Sequence, residues 1–266
     1  ASDVYKRQGV YMKITPAKRQ QGLNRIIKVI RMSGPYEKIL AAERSKEVKK
    51  VMSALLGLPV NLVPDLIQVR EQYLASFFRK LYLNIGPQVA GDEFREKIGQ
   101  KNDRSIGWER GLYDFIEQYS GTKISMVSGT LKEWIVKQVQ EYVTLMQHEG
   151  QSIETVTRNM RDVVVKKWNT AELWQVRRIV QFESLACSSV ARQLSIDSLG
   201  VEYTKTWMIS GHNTRPGHQV MDGVTVGQQE YFYPEGEKME YPRDIRFGAS
   251  AGNLINCMCS VVYNVV

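Results

Sequence analysis

The chain has 266 residues, of which 43% are hydrophobic and 24% are charged, and this composition is ordinary for a soluble globular protein. Three cysteines do not make a disulfide framework, so we expect a reducing cytoplasm. No apolar run approaches the roughly 20 residues that a membrane-spanning helix needs, and no signal peptide is visible. We therefore expect no membrane partner.

The net charge of +8 is concentrated at the N-terminus. Residues 1–50 hold 13 Lys and Arg against 4 Asp and Glu, whereas residues 201–266 hold 5 against 7. Electrostatic attraction to nucleic acid or to another polyanion therefore belongs to the first 50 residues. A solvated, partly disordered arm is the equally weighted alternative for this segment.

Residues 3–8 read DVYKRQ, the direct translation of GATGTGTATAAGAGACAG. That nucleotide sequence is the end of a transposase adapter used to prepare sequencing libraries. We expect residues 1–8 to be an artefact of sequence assembly, and they take no part in the fold arguments. A genomic copy that carries DVYKRQ away from any contig end would contradict this expectation.

The N-terminal half is predicted to be mainly helical. Residues 15–50 place apolar side chains at helical spacing, and residues 65–86 do so again. Gly86 and Pro87 are expected to end this second helix. The polar residues 88–108 then indicate a connection that contains a short helix.

Helical spacing returns after residue 129 and predicts helices over residues 130–150, 152–168 and 170–200. Gly200 suits the C-terminal end of the last one. Cys187 lies among small residues of that helix and is expected to be a packing residue, because no histidine is near it in sequence.

The pattern changes at residue 201. Residues 202–210 alternate between polar and apolar as a strand does, and Asp222-Gly223 suits a turn before a short strand. Residues 230–234 predict another short strand, and residues 257–266 a terminal one. The sequence therefore predicts an α+β fold, in which long helices pack on a small C-terminal sheet of short strands.

The tail also carries chemically active residue types. His212 and His218, together with Cys257 and Cys259, are four groups that zinc accepts as ligands. The Cys-x-Cys spacing argues against zinc. In an extended strand both side chains point to one face and could reach one ion only if the strand bent, whereas structural zinc sites usually lie in turns. We therefore expect both cysteines to pack on the inner face of the last strand, with zinc as the lesser alternative and otherwise no cofactor.

Two further interpretations concern the segment HNTRPGHQVMDG, residues 212–223. A cysteine with a histidine and Asp222 can make an activated thiolate, but three residue types in one tail are weak evidence for catalysis. The favoured interpretation is that Arg215 and His218 hydrogen-bond a loop against residues 256–260, since a guanidinium fork and an imidazole suit backbone carbonyls.

Six segments follow one another in the tail: KTW (205–207), NTRPGH (213–218), MDG (221–223), EYF (230–232), YPRD (241–244) and INCMC (255–259). In order and spacing they resemble the C-terminal domain of the phage Mu F-like minor head protein family. That domain shows a Lys-x-Trp strand, an Arg-x-x-His loop, an aromatic residue, a Pro-Gly-Asp-like turn and a closing Asn-Cys-x-Cys. The resemblance covers roughly residues 130–266.

The helix segment RRIVQFES (177–184) is similar to an Ile-Ala-Arg-Thr-Glu-like stretch of the family, in which Glu183 matches the acidic residue. Gln181 and Phe182 depart from that stretch, and Arg243 replaces the usual Gly of the turn. The positions to which the resemblance assigns a structural or interaction role are Lys205, Trp207, Arg215, His218, Asp222, Gly223, Phe232, Pro242, Asp244, Asn256, Cys257, Cys259 and Glu183.

The resemblance implies a minor structural protein of a tailed-phage head, packaged in few copies, that assists head assembly and sometimes genome delivery. Its expected partners are the portal and the capsid or scaffold proteins, with packaged DNA as a further partner of the basic first 50 residues. Its expected location is the virion, and the host cytoplasm during assembly. Residues 9–130 would form a helical docking region and residues 131–266 the family-like domain.

Two alternatives remain open. One is an enzyme or toxin-like domain of the transferase or nuclease class, which would use the Arg-x-x-His and Cys-x-Cys cluster. The other is a cellular DNA-binding protein, which rests on the basic first 50 residues alone. The resemblance itself assigns no catalytic residue, so a protein that is not an enzyme is favoured.

Overall fold

The computed structural model of this protein describes residues 10–55, 71–98, 108–119, 176–211 and 214–266. Within these ranges, long helices pack on a small antiparallel sheet whose main strands come from the C-terminal part. The predicted α+β class is confirmed. No helix in the described ranges is both long and apolar enough to cross a membrane.

The helices account for most of the described residues. The long ones are α1 (Pro16–Leu55), α2 (Glu71–Ile98), α3 (within residues 108–119) and α4 (within residues 176–197). The short ones are α5 (Pro216–Gln219), α6 (Ala251–Leu254) and the 3-10 turn Pro234–Gly236. Helix α1 confirms the helix predicted over residues 15–50. The helices predicted over residues 130–150 and 152–168 lie outside the described residues.

The second helix does not end where the sequence indicated. Helix α2 continues through Gly86 and Pro87 to Ile98, so the predicted end was wrong. The buried side chains recur at helical spacing on both sides of the proline, at Ile85 and then at Val89 and Ala90. This packing outweighs the lost backbone hydrogen bond of Pro87. Gly86 serves close packing instead of termination, because a Cβ there would clash with Leu112 of α3.

The sheet has four antiparallel strands in the order β1-β3-β2-β4. They are β1 (Val10–Tyr11), β2 (Tyr203–Met208), β3 (Val224–Gly227) and β4 (Ser260–Val265). The strand predicted over residues 230–234 is only a single bridge between Phe232 and Met239. The terminal strand begins at Ser260, so Cys257 and Cys259 precede it. Both predictions were wrong in this respect.

Strand β2 places two of the motif residues on one face of the sheet. Lys205 and Trp207 are two residues apart, so their side chains point to the same side. Met208 points to the other side, where a Cβ on Gly22 of α1 would clash with it. The missing side chain of Gly22 therefore lets α1 lie close to the sheet.

Contacts divide the chain into two compact units. Unit 1 takes its described residues from Ala1–Ser33, Leu81–Ile116 and Gln181–Val266, and unit 2 takes them from Gly34–Lys80 and Glu117–Val180. In unit 2, Tyr36 packs edge-on against Phe77, with ring centroids 5.9 Å apart. The predicted domain boundary between residues 130 and 131 lies outside the described residues. Unit 1 contains the sheet and every described motif residue.

Candidate functional site

Three side chains of metal-ligating types meet in unit 1, and we call them the cysteine cluster: His218, Cys257 and Cys259. Their ligand atoms all lie within 4.8 Å of one another, and all three residues are buried. Helix α5 supplies the histidine, and the segment between α6 and β4 supplies the two cysteines. The cysteines face one histidine together because they lie in this bent segment and not in a strand. Their expected packing on the inner face of the last strand was wrong.

Both nitrogens of the His218 ring have defined partners. Nδ1 lies 3.5 Å from Cys257 Sγ and 3.5 Å from Cys259 Sγ. Nε2 lies 2.5 Å from the side-chain oxygen of Asn253. The amide nitrogen of Asn253 donates to the Pro234 carbonyl and to Glu237, both at 2.9 Å, which fixes the oxygen toward the ring. Nε2 therefore carries the proton, and the lone pair of Nδ1 faces the sulfurs.

Local backbone chemistry sets up this geometry. Pro216 at the start of α5 favours a helical turn without needing an N–H donor. Ser250 caps α6 by accepting a hydrogen bond from the Asn253 N–H. Asn256 then adopts a positive φ of 59°, a conformation that asparagine tolerates better than most residues. This bend brings the two cysteines toward His218.

Arg243 is the functional-looking residue that sequence reasoning missed. Its Nη1 donates to the carbonyls of Cys257 and Cys259 at 2.7 and 2.9 Å, and its Nη2 donates to Ser189 at 2.9 Å. Its φ is +68°, which favours glycine. The available signal was the resemblance, which expects Gly at this position. Arg243 places a buried guanidinium behind the cysteines.

The two thiols influence each other's protonation. The hydrogen bond from Cys259, together with His218 and Arg243, holds the pKa of Cys257 well below its usual range despite burial. The hydrogen bond to Cys257 and burial raise the pKa of Cys259. The pair therefore loses its first proton more easily than an isolated cysteine does, and its second with more difficulty.

Aromatic residues surround the cysteine cluster on one side. The Trp207 ring lies edge-on to the His218 ring and to Phe232, with centroids 5.4 and 5.2 Å apart. Trp207 and Phe232 are fully buried. They separate the imidazole from solvent on that side and restrict how the ring can turn.

Lys205, the other motif residue of β2, belongs to a separate group of charges. It is buried, and its Nζ lies 3.6 Å from Glu240. Burial lowers the pKa of Lys205, while Glu240 opposes that change. Arg246 pairs with Glu240 and with Asp244 at 2.5 and 2.7 Å. These ions fix the turn of residues 240–246, in which Pro242 is also buried.

The remaining motif residues contact backbone or distant helices. Arg215 donates to the Ile255 carbonyl. Gly223 has a φ of +84° and bonds to Met12 and to the Trp207 carbonyl. Glu183 accepts a hydrogen bond from Tyr82 at 2.8 Å in a buried site. His212 lies outside the described residues.

Asp222 is not a partner of His218. Its carboxylate pairs with Arg19 of α1 at 2.6 Å and accepts from the Ile209 N–H at 3.0 Å. The cysteine, histidine and Asp222 set considered for catalysis is therefore not assembled. Asn253 occupies the position that an orienting aspartate would have.

A second buried polar group lies in the same unit, and we call it the ion-pair cluster: Arg25, Glu93, Arg192 and Ser260. Arg192 donates to Glu93 and to Ser260, both at 2.8 Å. The Arg25 guanidinium lies 3.4 Å from Glu93. Burial raises the pKa of Glu93, but the two arginines outweigh it and lower the pKa overall. No sequence motif pointed to this group.

Some of the positive charges of the basic N-terminal segment are paired within the fold. Beyond Arg19 and Arg25, Lys28 pairs with Asp92. Lys13 and Arg31 make no ion pair within the described ranges. The positive field of α1 is therefore weaker than its composition indicates.

The cysteine cluster can hold a metal ion, since it offers one imidazole nitrogen and two sulfurs at one point. The contacts of His218 also follow the Cys-His-Asn order of thiol proteases, since one ring nitrogen faces the Cys257 thiol and the other faces the Asn253 amide. Both sulfurs are buried, however.

Comparisons of the chain with family models, with curated proteins and with solved structures find no match.

Proposed function

We propose that this chain is a minor head protein of a tailed phage, which associates with the portal and assists head assembly. The resemblance of its C-terminal segments to the Mu F-like family suggests this function. Residues 9–130 would dock on portal, capsid or scaffold proteins, and the virion would be the site of action. Residues 131–266 would form the family-like domain.

One observation carries the proposal. The motif residues, which are spread over residues 183–259, come together in unit 1 in supporting roles. Trp207 and Phe232 fill the core, while Arg215 and Arg243 bond to backbone carbonyls. Glu183 is buried against Tyr82. Residues that stabilise one compact module suit an assembly protein better than an enzyme, which needs reactive groups that a substrate can reach.

A metal ion would have a structural role within this function. Two sulfurs and an imidazole form a soft ligand set, which favours zinc over magnesium or calcium. Of the predicted four-residue set, the described residues bring together the three of the cysteine cluster.

The test is association with the cognate portal protein. The tagged chain is produced together with that portal protein, and co-sedimentation with portal rings or procapsids is measured. We expect the chain to sediment with them at a few copies per particle. A folded chain that stays in the supernatant would contradict the proposal. A double variant, Lys13→Glu with Arg31→Glu, tests whether the basic segment contacts the portal. These two side chains are chosen because they make no ion pair within the described ranges.

The Cys-His-Asn order favours one second candidate, a thiol-dependent enzyme. An accessible thiolate of this kind reacts quickly with an alkylating agent. We expect iodoacetamide to leave all three cysteines of the native chain unmodified, because all three are buried. Rapid modification of Cys257 in the folded chain, measured by mass spectrometry, would favour the enzyme instead. His218→Ala should then abolish turnover in a folded protein, whereas in an assembly protein His218→Ala and Glu183→Ala impair folding or assembly.

A further inference from the structure

We propose that the cysteine cluster is a zinc site in which His218 Nδ1, Cys257 Sγ and Cys259 Sγ are the ligands. Among the described residues no fourth ligand joins them, so we assign the fourth position to a water molecule. Zinc otherwise shows this set in catalytic sites, but here the buried ion would serve to hold the fold. This inference does not depend on the proposed head function. It rests on the distances, the ring orientation and the burial of these three residues.

The distances fit a tetrahedral ion. Zinc lies about 2.0–2.1 Å from an imidazole nitrogen and about 2.3 Å from a thiolate sulfur, so a tetrahedral angle separates the two atoms by about 3.5 Å. Both sulfurs lie 3.5 Å from Nδ1. The two nitrogen–sulfur distances thus already match those that one zinc ion requires, and all three ligand atoms lie within 4.8 Å of one another.

Hydrogen bonding alone accounts for this arrangement less well. A neutral imidazole has one acceptor nitrogen with one lone pair. That lone pair can accept a hydrogen bond from one thiol, and the second thiol then bonds to the first; such a chain does not require both sulfurs to lie at the same distance from Nδ1, as they do. A single ion between the three atoms satisfies both sulfurs and the nitrogen at once.

The surroundings orient the ligands as metal sites commonly do. A metal-binding histidine usually donates its other ring N–H to a fixed oxygen, and here Nε2 donates to Asn253 at 2.5 Å. Asn253 is fixed in turn by Pro234 and Glu237. Arg243 bonds mainly to the carbonyls of the two cysteines, while its Nη1 is 3.9 Å from Cys257 Sγ. The sulfurs therefore remain directed at Nδ1.

The ion would join parts of the chain that are far apart in sequence. His218 is 39 residues from Cys257 and 41 residues from Cys259. A metal that binds only the folded arrangement stabilises it, because the ligands are separated in the unfolded chain. The zinc would hold α5 against the segment before β4. Both lie outside the strands of the sheet, so strand pairing does not hold them together.

The experiment uses the full chain, reduced with a phosphine and freed of metal, and titrated with cobalt(II). We expect a thiolate-to-cobalt absorption band that saturates at one equivalent and disappears when zinc is added. Cys187→Ser is the matched control, because that buried cysteine lies outside the cluster. It should keep the whole band, whereas Cys257→Ser, Cys259→Ser and His218→Asn should lose it. A chelator should lower the melting temperature of the wild type and of Cys187→Ser.

Cys187→Ser also decides the matter if the ligand variants fail to fold. That chain has only the two cluster cysteines, so its band can come from no other thiols. The absence of a thiolate–cobalt band in folded wild type and folded Cys187→Ser would overturn the proposal. A band that persists in a folded Cys257→Ser, Cys259→Ser double variant would overturn it equally.

Discussion

The cysteine cluster and the ion-pair cluster are both buried and polar, but they are built differently. The cysteine cluster joins residues of one tail, 39 and 41 positions apart. The ion-pair cluster joins helices α1, α2 and α4 to strand β4, with Glu93 and Arg192 separated by 99 positions. The first contains groups that can be neutral, and the second contains full charges.

This difference determines how each cluster responds to damage. A thiol or an imidazole can lose a partner and remain neutral, at the cost of a hydrogen bond. A buried guanidinium has no neutral form at ordinary pH, so it depends on its carboxylate. We therefore expect substitutions in the ion-pair cluster to affect folding more than substitutions in the cysteine cluster.

The largest effect is expected from Glu93→Ala. Removing one partner of a buried ion pair costs about 3–5 kcal/mol, and the Glu93 and Arg192 side chains are only 1% and 5% exposed. Urea denaturation of the metal-free chain measures the change in unfolding free energy. Glu96→Ala is the matched control, because Glu96 pairs with the same Arg25 but is 30% exposed. Its effect should stay below about 1 kcal/mol.

Lowering the pH also tests the contribution of Glu93, because protonation removes its charge without a substitution. The pKa of Glu93 is lowered in the folded protein, so its contribution to stability is complete above the ordinary glutamate pKa of about 4.3. That contribution is lost as the pH falls through the lower folded-state value. The acid-induced loss of stability should shrink in Glu93→Gln. An unchanged acid dependence in that variant, or equal effects of Glu93→Ala and Glu96→Ala, would contradict the comparison.

The sequence revealed the cysteine cluster better than the ion-pair cluster for a physical reason. Its residue types are rare, so His218, Cys257 and Cys259 stand out in a chain with three histidines and three cysteines. Spacing could not show that the cysteines precede the strand, since that depends on the bend at Asn256. Glu93 and Arg192 are common residue types on long helices, and only the packing of those helices brings them together.

The fold, like the two clusters, could be predicted only in part. Helix α1 and strand β2 follow from local periodicity, and both are present as expected. Helix α2 was predicted to end at Gly86 and Pro87 because these residues disfavour a helix. Its continuation depends on contacts with α3 and α4, which no local pattern contains. Local propensity yields here to tertiary packing.

Arg243 offers a smaller and sharper effect. Arg243→Ala removes hydrogen bonds to two carbonyls and Ser189. It also removes the cost of burying the guanidinium, so the net loss of stability should stay below that of Glu93→Ala. Arg243→Gly removes the same bonds but relieves the positive φ of 68°, which costs a non-glycine residue about 1–2 kcal/mol. In urea denaturation, the glycine variant should be the more stable of the two by about 1 kcal/mol. Equal stability of the two variants would show that backbone strain at this turn is negligible.

The smallest change in stability is expected at Asp222, a motif residue that contacts neither cluster. Its contact with Arg19 is partly exposed, at 25% and 34% of the side chains, so the ion pair should contribute about 0.2–1 kcal/mol. Asp222→Asn keeps an oxygen that accepts from the Ile209 N–H, whereas Asp222→Ala also removes that bond, which contributes about 1 kcal/mol more.

A double-mutant cycle with Arg19→Met, followed by urea denaturation, isolates the ion pair from the backbone contact. We expect a small coupling energy that declines with added salt, because the pair is partly solvated. The cobalt titration should be unchanged in Asp222→Asn, since this carboxylate contacts Arg19 and Ile209 and not His218. A loss of the thiolate–cobalt band in the folded variant would instead link the turn of Asp222 and Gly223 to the cysteine cluster. The motif would then act as one coupled site and not as separate supports of one module.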